Sequence, residues 1–147
     1  MTEKIKFSNN DKTVTFTGTG TVKWIKDIQL VALSGITADT LILEGYTSIG
    51  YGALYNLPVT RIILPESITS IGGEAFSQSG WGELDVNIPA NVTSIGNGAF
   101  NQSYIKSISI PAGITSIGEN TFNYASVLNK VTFEYGSKLT SIGDNAF

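Results

Sequence analysis

The tetrapeptide Thr-Ser-Ile-Gly occurs five times, and this recurrence constrains the fold more than any other feature of the chain. The copies begin at residues 47, 69, 93, 115 and 140, so successive copies are separated by 22, 24, 22 and 25 residues. A period of ~23 residues is the length of one solenoid coil, in which each unit buries its apolar side chains against its neighbours. The spacing therefore predicts a stacked, extended structure that offers a binding surface rather than a catalytic pocket.

Each repeat predicts two short strands and one buried aromatic ring. The first strand alternates apolar and polar residues and ends at proline, as in Ile62–Pro65 and Ile108–Pro111, which predicts one buried face and a defined end. The second strand is Thr-Ser-Ile-Gly, and stacking would align threonine with threonine and serine with serine, whose hydroxyls we expect to pair. An Ala-Phe or Thr-Phe pair follows each of the last four copies. We therefore expect a central column of stacked phenylalanine rings.

The pattern resembles the BspA-type leucine-rich repeat across residues 41–147, and the copy at 105–122 reads IKSISIPAGITSIGENTF. The resemblance implies a β-rich leucine-rich-repeat solenoid, right-handed, with short strands in each repeat and an N-terminal β cap. We expect the cap to comprise residues 1–40 and the repeats to comprise residues 41–147, as five units of which the last is truncated.

Two places depart from the family pattern. The family's cysteine position holds Ser79, Ser103 and Ala125, which keep a small side chain there but carry no thiol. In the third copy, Leu84 lies one residue late relative to the family's leucine, so we expect a local bulge near Trp81–Leu84.

The first forty residues do not carry the repeat. Val14–Val22 alternates apolar and polar residues around glycines, which favours a β-hairpin or paired edge strands. Thr17–Gly20 is not a phosphate-binding loop, because no Gly-Lys-Ser/Thr follows and no βαβ pattern surrounds it. Asp27–Leu33 is compatible with a short helix or with another strand, and of the two we favour a helical turn.

The composition excludes several classes of site. The chain has no cysteine and no histidine, which removes disulfides, thiol catalysis and the commonest general base and metal ligand. Nine Lys and Arg residues are scattered through a chain of net charge −3, so we expect no nucleic-acid partner. No apolar run is long enough to span a membrane. Glu83 with Asp85, and Glu74 with Glu119, are interpreted as solvated loop charges, so we predict no enzyme, no cofactor and no metal.

Three surfaces are candidates for binding. The first is the outward side of the first strands, which we call the ladder face and expect to recognise protein or glycan, although a solvated sheet face is the alternative. It comprises Arg61, Ile63, Asp85, Asn87, Lys106, Ser109, Lys130 and Thr132. We expect Arg61, Asp85, Lys106 and Lys130 to form one row of mixed charge, and Ile42 to stack beside Ile63.

The second surface is a set of aromatic residues in the turns near each phenylalanine, which would either bind sugar rings or protein, or close the convex side of the core. It comprises Tyr51, Tyr55, Trp81, Tyr104 and Tyr124. The third is the last coil, whose apolar residues we expect to be exposed and to associate end to end, unless the natural protein continues. These are Val131, Phe133, Leu139, Ile142 and Phe147.

The resemblance implies a non-catalytic module of a bacterial cell-surface or secreted adhesin-like protein, which recognises a host or matrix protein. Met1–Lys6 does not begin a signal peptide, so surface location would require a signal outside this sequence. The alternative is a carbohydrate-binding module of a larger secreted protein, which would need exposed aromatic rings.

Overall fold

The computed structural model describes residues 4–8, 12–23 and 38–147, and all regular secondary structure within them is β-strand. The predicted turn at Asp27–Leu33 lies outside the described residues. The strands are β1 (Lys4–Ser8), β2 (Thr13–Val22), β3 (Thr40–Ile49), β4 (Arg61–Ile63), β5 (Ser70–Ile71), β6 (Asp85–Val86), β7 (Ser94–Ile95), β8 (Ser107–Ile110), β9 (Ser116–Ile117), β10 (Lys130–Phe133) and β11 (Ser141–Ile142).

The N-terminal strands form one edge of the stack. β1 pairs antiparallel with β2, and β2 pairs parallel with β3. Val14–Val22 is therefore one strand between two partners, and not a hairpin of its own. Gly18 within β2 is required by packing, because a Cβ there would lie 2.5 Å from the hydroxyl oxygen of the buried Tyr46.

The repeats stack in register, as the spacing predicts. β3 is long enough to contribute to two parallel ladders, since its first three residues pair with β4 and its last two residues pair with β5. The second ladder aligns Ser48 with Ser70 and Ser70 with Ser94, so identical positions of successive repeats are neighbours. The leucine-rich-repeat solenoid expected from the sequence is confirmed.

In the stacked Thr-Ser-Ile-Gly segments the hydroxyls of Thr69, Thr93 and Thr140 donate to backbone carbonyls and not to one another, so the threonine pairing expected there does not form. The Thr69 hydroxyl donates to the Thr47 carbonyl at 3.2 Å, and the Thr140 hydroxyl donates to the Thr115 carbonyl at 3.0 Å. In each pair the threonine N–H also donates to that carbonyl, at 2.9 Å. A threonine can thus bind the preceding coil twice through one acceptor, because a carbonyl oxygen has two lone pairs.

The predicted column of phenylalanines forms the centre of the core. Phe76 and Phe100 stack with ring centroids 4.9 Å apart, Phe100 and Phe122 at 5.4 Å, and Phe122 and Phe147 at 5.3 Å. The planes of adjacent rings differ by at most 15°. The rings of Phe76 and Phe100 are fully buried, so this column joins the coils by close packing as well as by hydrogen bonds.

Both ladders are interrupted at one junction, between the coil of β6 and β7 and the coil of β8 and β9. The seven-stranded sheet ends at β6 and β7, while β8 pairs only with β10 and β9 only with β11. An isolated bridge from Leu84 to Ile105 crosses the gap. Leu84 and Val86 are two residues apart, whereas their buried counterparts Ile105 and Ile108 are three apart, so one pairing register cannot satisfy both. The irregularity expected near Trp81–Leu84 therefore takes the form of a broken ladder.

Candidate functional site

The ladder face is exposed along its whole length, and an ion pair joins its strands β4 and β6. Every residue expected on this face is exposed. The Arg61 Nε lies 3.4 Å from the Asp85 Oδ2, between side chains that are 60% and 63% exposed. Ile42 and Ile63 are register partners, as expected, and Ile63 is 40% exposed.

The structure does not form the single row of four charges. Lys130 is in register with Ser107, and Thr132 with Ser109, so Lys106 lies one residue outside the row. The interrupted ladder also falls between Asp85 and Ser107. The ladder face is thus divided into one patch around Arg61, Ile63, Asp85 and Asn87 and another around Ser109, Lys130 and Thr132.

The first patch borders a groove of about 340 Å³ between neighbouring coils. Its walls are formed by Arg61, Ile62, Ile63, Leu64, Glu66, Asp85, Asn87, Ile88, Pro89 and Ala90. Asp85 neutralises Arg61, and in the described part of the chain Glu66 has no ion pair. The groove therefore combines an exposed apolar side chain at Ile63 with one uncompensated negative charge.

The residues expected at the last coil differ in exposure. Phe133, Ile142 and Phe147 are exposed, whereas Val131 and Leu139 are half-buried and pack against the core. A hollow of about 240 Å³ lies beside Phe122, Val131 and Phe147. Association through these side chains stays a prediction.

The aromatic side chains of the turns are mostly exposed. Tyr51 is 78% exposed and Trp81 is 69% exposed. Buried phenylalanines fill the core behind them, so these two rings do not close the core. They belong instead to the outer surface of the turns.

A model of the BspA type leucine rich repeat region matches residues 47–147 in six copies. The chain belongs to this family. A search of the curated proteins found no match.

Three solved structures support the same fold for this leucine-rich repeat chain. A leucine-rich repeat protein from Eubacterium ventriosum is 24% identical with a TM-score of 0.65, over 93% of this chain and 43% of that protein. The T. pallidum leucine rich repeat protein is 18% identical with a TM-score of 0.64, over 96% of this chain and 83% of that protein. A leucine rich cell surface protein from Faecalibacterium prausnitzii is 21% identical with a TM-score of 0.63, over 99% of this chain and 50% of that protein. This chain therefore spans less than half the length of the Eubacterium protein.

The acidic residues of the repeats stay dispersed. Within residues 4–8, 12–23 and 38–147, no three Asp or Glu side chains lie close enough to hold a metal ion. In the same ranges there is no helix long and apolar enough to cross a membrane. The ladder face offers hydrogen bonds, one exposed ion pair and apolar contacts, which are the interactions of recognition.

One depression of the turn surface was missed from the sequence. It has a volume of about 390 Å³ and is lined by Gln102, Tyr104, Tyr124 and Ser126. The two tyrosines were singled out for their place in the turns near each phenylalanine, without the polar residues beside them. An alignment on the phenylalanines would have found the set, because Gln102 and Tyr124 each follow their phenylalanine by two residues, and Tyr104 and Ser126 by four.

Proposed function

We propose that this leucine-rich repeat domain is a non-catalytic recognition module that binds a protein partner through the ladder face. The observation that carries the proposal is the groove beside Arg61, Ile63 and Asp85, where exposed apolar and charged groups adjoin on rigid strands. Residues 41–147 would supply the repeats and residues 1–40 the cap.

The chemistry of the groove indicates what the partner would present. The Arg61 charge is paired with Asp85, so Glu66 sets the net charge of the groove. A partner with an apolar side chain for Ile63 and a basic side chain for Glu66 would be complementary. An extended segment suits this surface, because the outward positions of neighbouring coils repeat at the strand spacing of ~4.8 Å.

We further propose that the parent protein acts at the bacterial cell surface or is secreted, as an adhesin-like protein for a host or matrix protein. Support comes from the Faecalibacterium relative, which is described as a leucine rich cell surface protein. Immunoblots of fractionated source cells, with and without external protease, test this location. Removal of the band by protease on intact cells is expected, and a band protected inside the cells would contradict it.

Binding to immobilised matrix proteins, such as laminin and fibrillar collagen, tests the function of the face. We expect Ile63→Asp and Glu66→Lys each to weaken binding at least ~10-fold, as loss of one central contact does. Glu119→Lys is the matched control, because Glu119 is an exposed carboxylate in the turns. Equal affinity of all three variants would refute the ladder face as the site, and no binding to any matrix protein would contradict the partner class.

A further inference from the structure

We infer that the depression lined by Gln102, Tyr104, Tyr124 and Ser126 is a second binding site, and that its ligand is a neutral sugar. This site lies in the turns, away from the strands that form the ladder face. It neither requires nor excludes the protein-binding function proposed for that face.

The four side chains are brought together by the stacking of two coils. The Gln102 N–H donates to the Asn123 carbonyl at 2.7 Å, which places Tyr124 beside Gln102 in the next coil. Tyr104 and Ser126 follow these two residues at equal distance along the chain. The depression therefore brings two tyrosine rings, an amide and a hydroxyl to one place on the turn surface.

The backbone under this depression is held by hydrogen bonds. The Tyr104 N–H donates to the Ser79 carbonyl at 3.0 Å, and the Tyr104 carbonyl accepts from the Leu84 N–H at 2.9 Å. The Ala125 N–H donates to the Phe122 carbonyl at 3.1 Å, which closes the turn that carries Tyr124. A site on fixed backbone loses little conformational freedom when it binds.

Tyr124 occupies a backbone conformation that disfavours its side chain. Its φ is 54°, in the left-handed region, and the equivalent residues of the three earlier coils share it, with φ 53° at Asn56, 58° at Gln78 and 55° at Gln102. A left-handed φ destabilises a residue with a bulky side chain by ~1–2 kcal/mol, and it destabilises Gly or Asn by less. The ring is 75% exposed, so burial offsets little of this cost. The coil geometry imposes this φ, so neither local backbone preference nor the core explains an exposed tyrosine at this position.

The lining chemistry selects the class of ligand. None of the four lining residues is charged, so neither a phosphate nor a carboxylate finds a counter-charge in the site. The amide of Gln102 both donates and accepts, as do the three hydroxyls. The tyrosine rings supply flat faces with partial negative charge, against which the C–H bonds of a sugar ring can pack. Apolar faces beside paired donors and acceptors match a neutral pyranose.

Titration of ¹⁵N-labelled protein with methyl glycosides of glucose, galactose, mannose and N-acetylglucosamine tests the inference. At least one should shift the amides of Gln102, Tyr104 and Tyr124 saturably, with a Kd of about 1–10 mM, typical of a shallow site. Glucuronic acid is the anionic comparison and should bind at least ~10-fold more weakly, because its carboxylate has no partner.

Tyr104→Ala and Tyr124→Asn should each weaken that binding at least ~10-fold, as loss of a central aromatic contact does. Asparagine suits the left-handed backbone, so the second variant keeps the fold. Tyr135→Ala is the matched control, since Tyr135 is fully exposed outside the depression, and it should leave the Kd unchanged.

The inference is overturned if no neutral glycoside gives saturable shifts at these amides, or if Tyr135→Ala weakens binding as much as the site variants do. It is also overturned if these variants weaken matrix-protein binding while no sugar competes, because the depression would then belong to the protein interface. Failure of the ladder-face variants to affect a matrix protein would refute the proposed function and leave the sugar titration intact.

Discussion

Ser79 and Ser103 occupy the same position in adjacent coils, and both are at most 1% exposed, yet their hydroxyls have different surroundings. The Ser79 hydroxyl donates to the Leu54 carbonyl at 2.5 Å and accepts from the Leu57 N–H at 3.0 Å. The Ser103 Oγ has no hydrogen-bond partner within the described part of the chain. Replacing each serine with alanine should therefore change stability in different ways.

The magnitudes follow from the number of groups left unpaired. Ser79→Ala removes two hydrogen bonds and leaves one buried N–H and one buried carbonyl unsatisfied, each at a cost of ~1–3 kcal/mol, so we expect a loss of about 2–6 kcal/mol. Ser103→Ala removes a hydroxyl that is already desolvated without compensation, so we expect no loss or a gain of about 1 kcal/mol. At roughly 3 °C per kcal/mol for a domain of this size, the two variants should differ in Tm by about 10 °C.

Urea unfolding followed by far-ultraviolet circular dichroism measures both variants, with thermal unfolding as the second measurement. Ser103→Cys provides a further check, because a thiol is a weak hydrogen-bonding group that tolerates burial and should be accepted at this position. Equal losses for Ser79→Ala and Ser103→Ala, or a larger loss for Ser103→Ala, would refute the assignment of the unpaired hydroxyl.

Four further substitutions test the packing and the backbone conformation. Gly72→Ala should lower the unfolding free energy by about 3 kcal/mol, because its Cβ would lie 2.6 Å from the carbonyl carbon of Gly50. Gly52→Ala, at φ 57° with nothing within 4 Å of the new Cβ, should lower it by only ~1 kcal/mol. Equal urea midpoints for the two variants would contradict this contrast. Phe100→Ala should cost about 3–5 kcal/mol by opening a cavity inside the ring column, and a smaller loss of unfolding free energy would mean that the column collapses. Tyr124→Asn should raise the unfolding free energy by ~1 kcal/mol through relief of backbone strain, and a lower value would mean that the ring stabilises the fold.

The periodic features of this fold could be predicted because each rests on one residue type at a fixed offset. The phenylalanine after each of the last four Thr-Ser-Ile-Gly copies predicts the ring column, and the alternation before each proline predicts the buried face. Position in the repeat also predicts that Arg61 and Asp85 are neighbours. Their ion pair follows from register alone.

Other features depend on contacts that the pattern does not contain. Glu74, Gln78 and Tyr124 adopt left-handed backbone, although none is a residue type that favours it. The coil geometry imposes φ at these places, so local propensity is overridden. The late position of Leu84 predicts an irregularity near Trp81–Leu84. It does not predict that Ser94–Ile95, which pair with the preceding coil, also lack a strand partner in the following coil.

The interrupted junction has a consequence for cooperativity. The stability of a repeat protein is close to a sum of terms for each repeat and for each interface between neighbours. Across this junction the interface retains the Phe100–Phe122 contact and turn hydrogen bonds, such as that from the Phe100 N–H to the Thr121 carbonyl at 2.9 Å, while both strand ladders end. The stabilising free energy of this interface should therefore be the smallest among the interfaces between the repeats. Amide exchange should accordingly divide the stack there into two blocks. The third and fourth coils would separate before either block unfolds, with the phenylalanine column as the last contact between them.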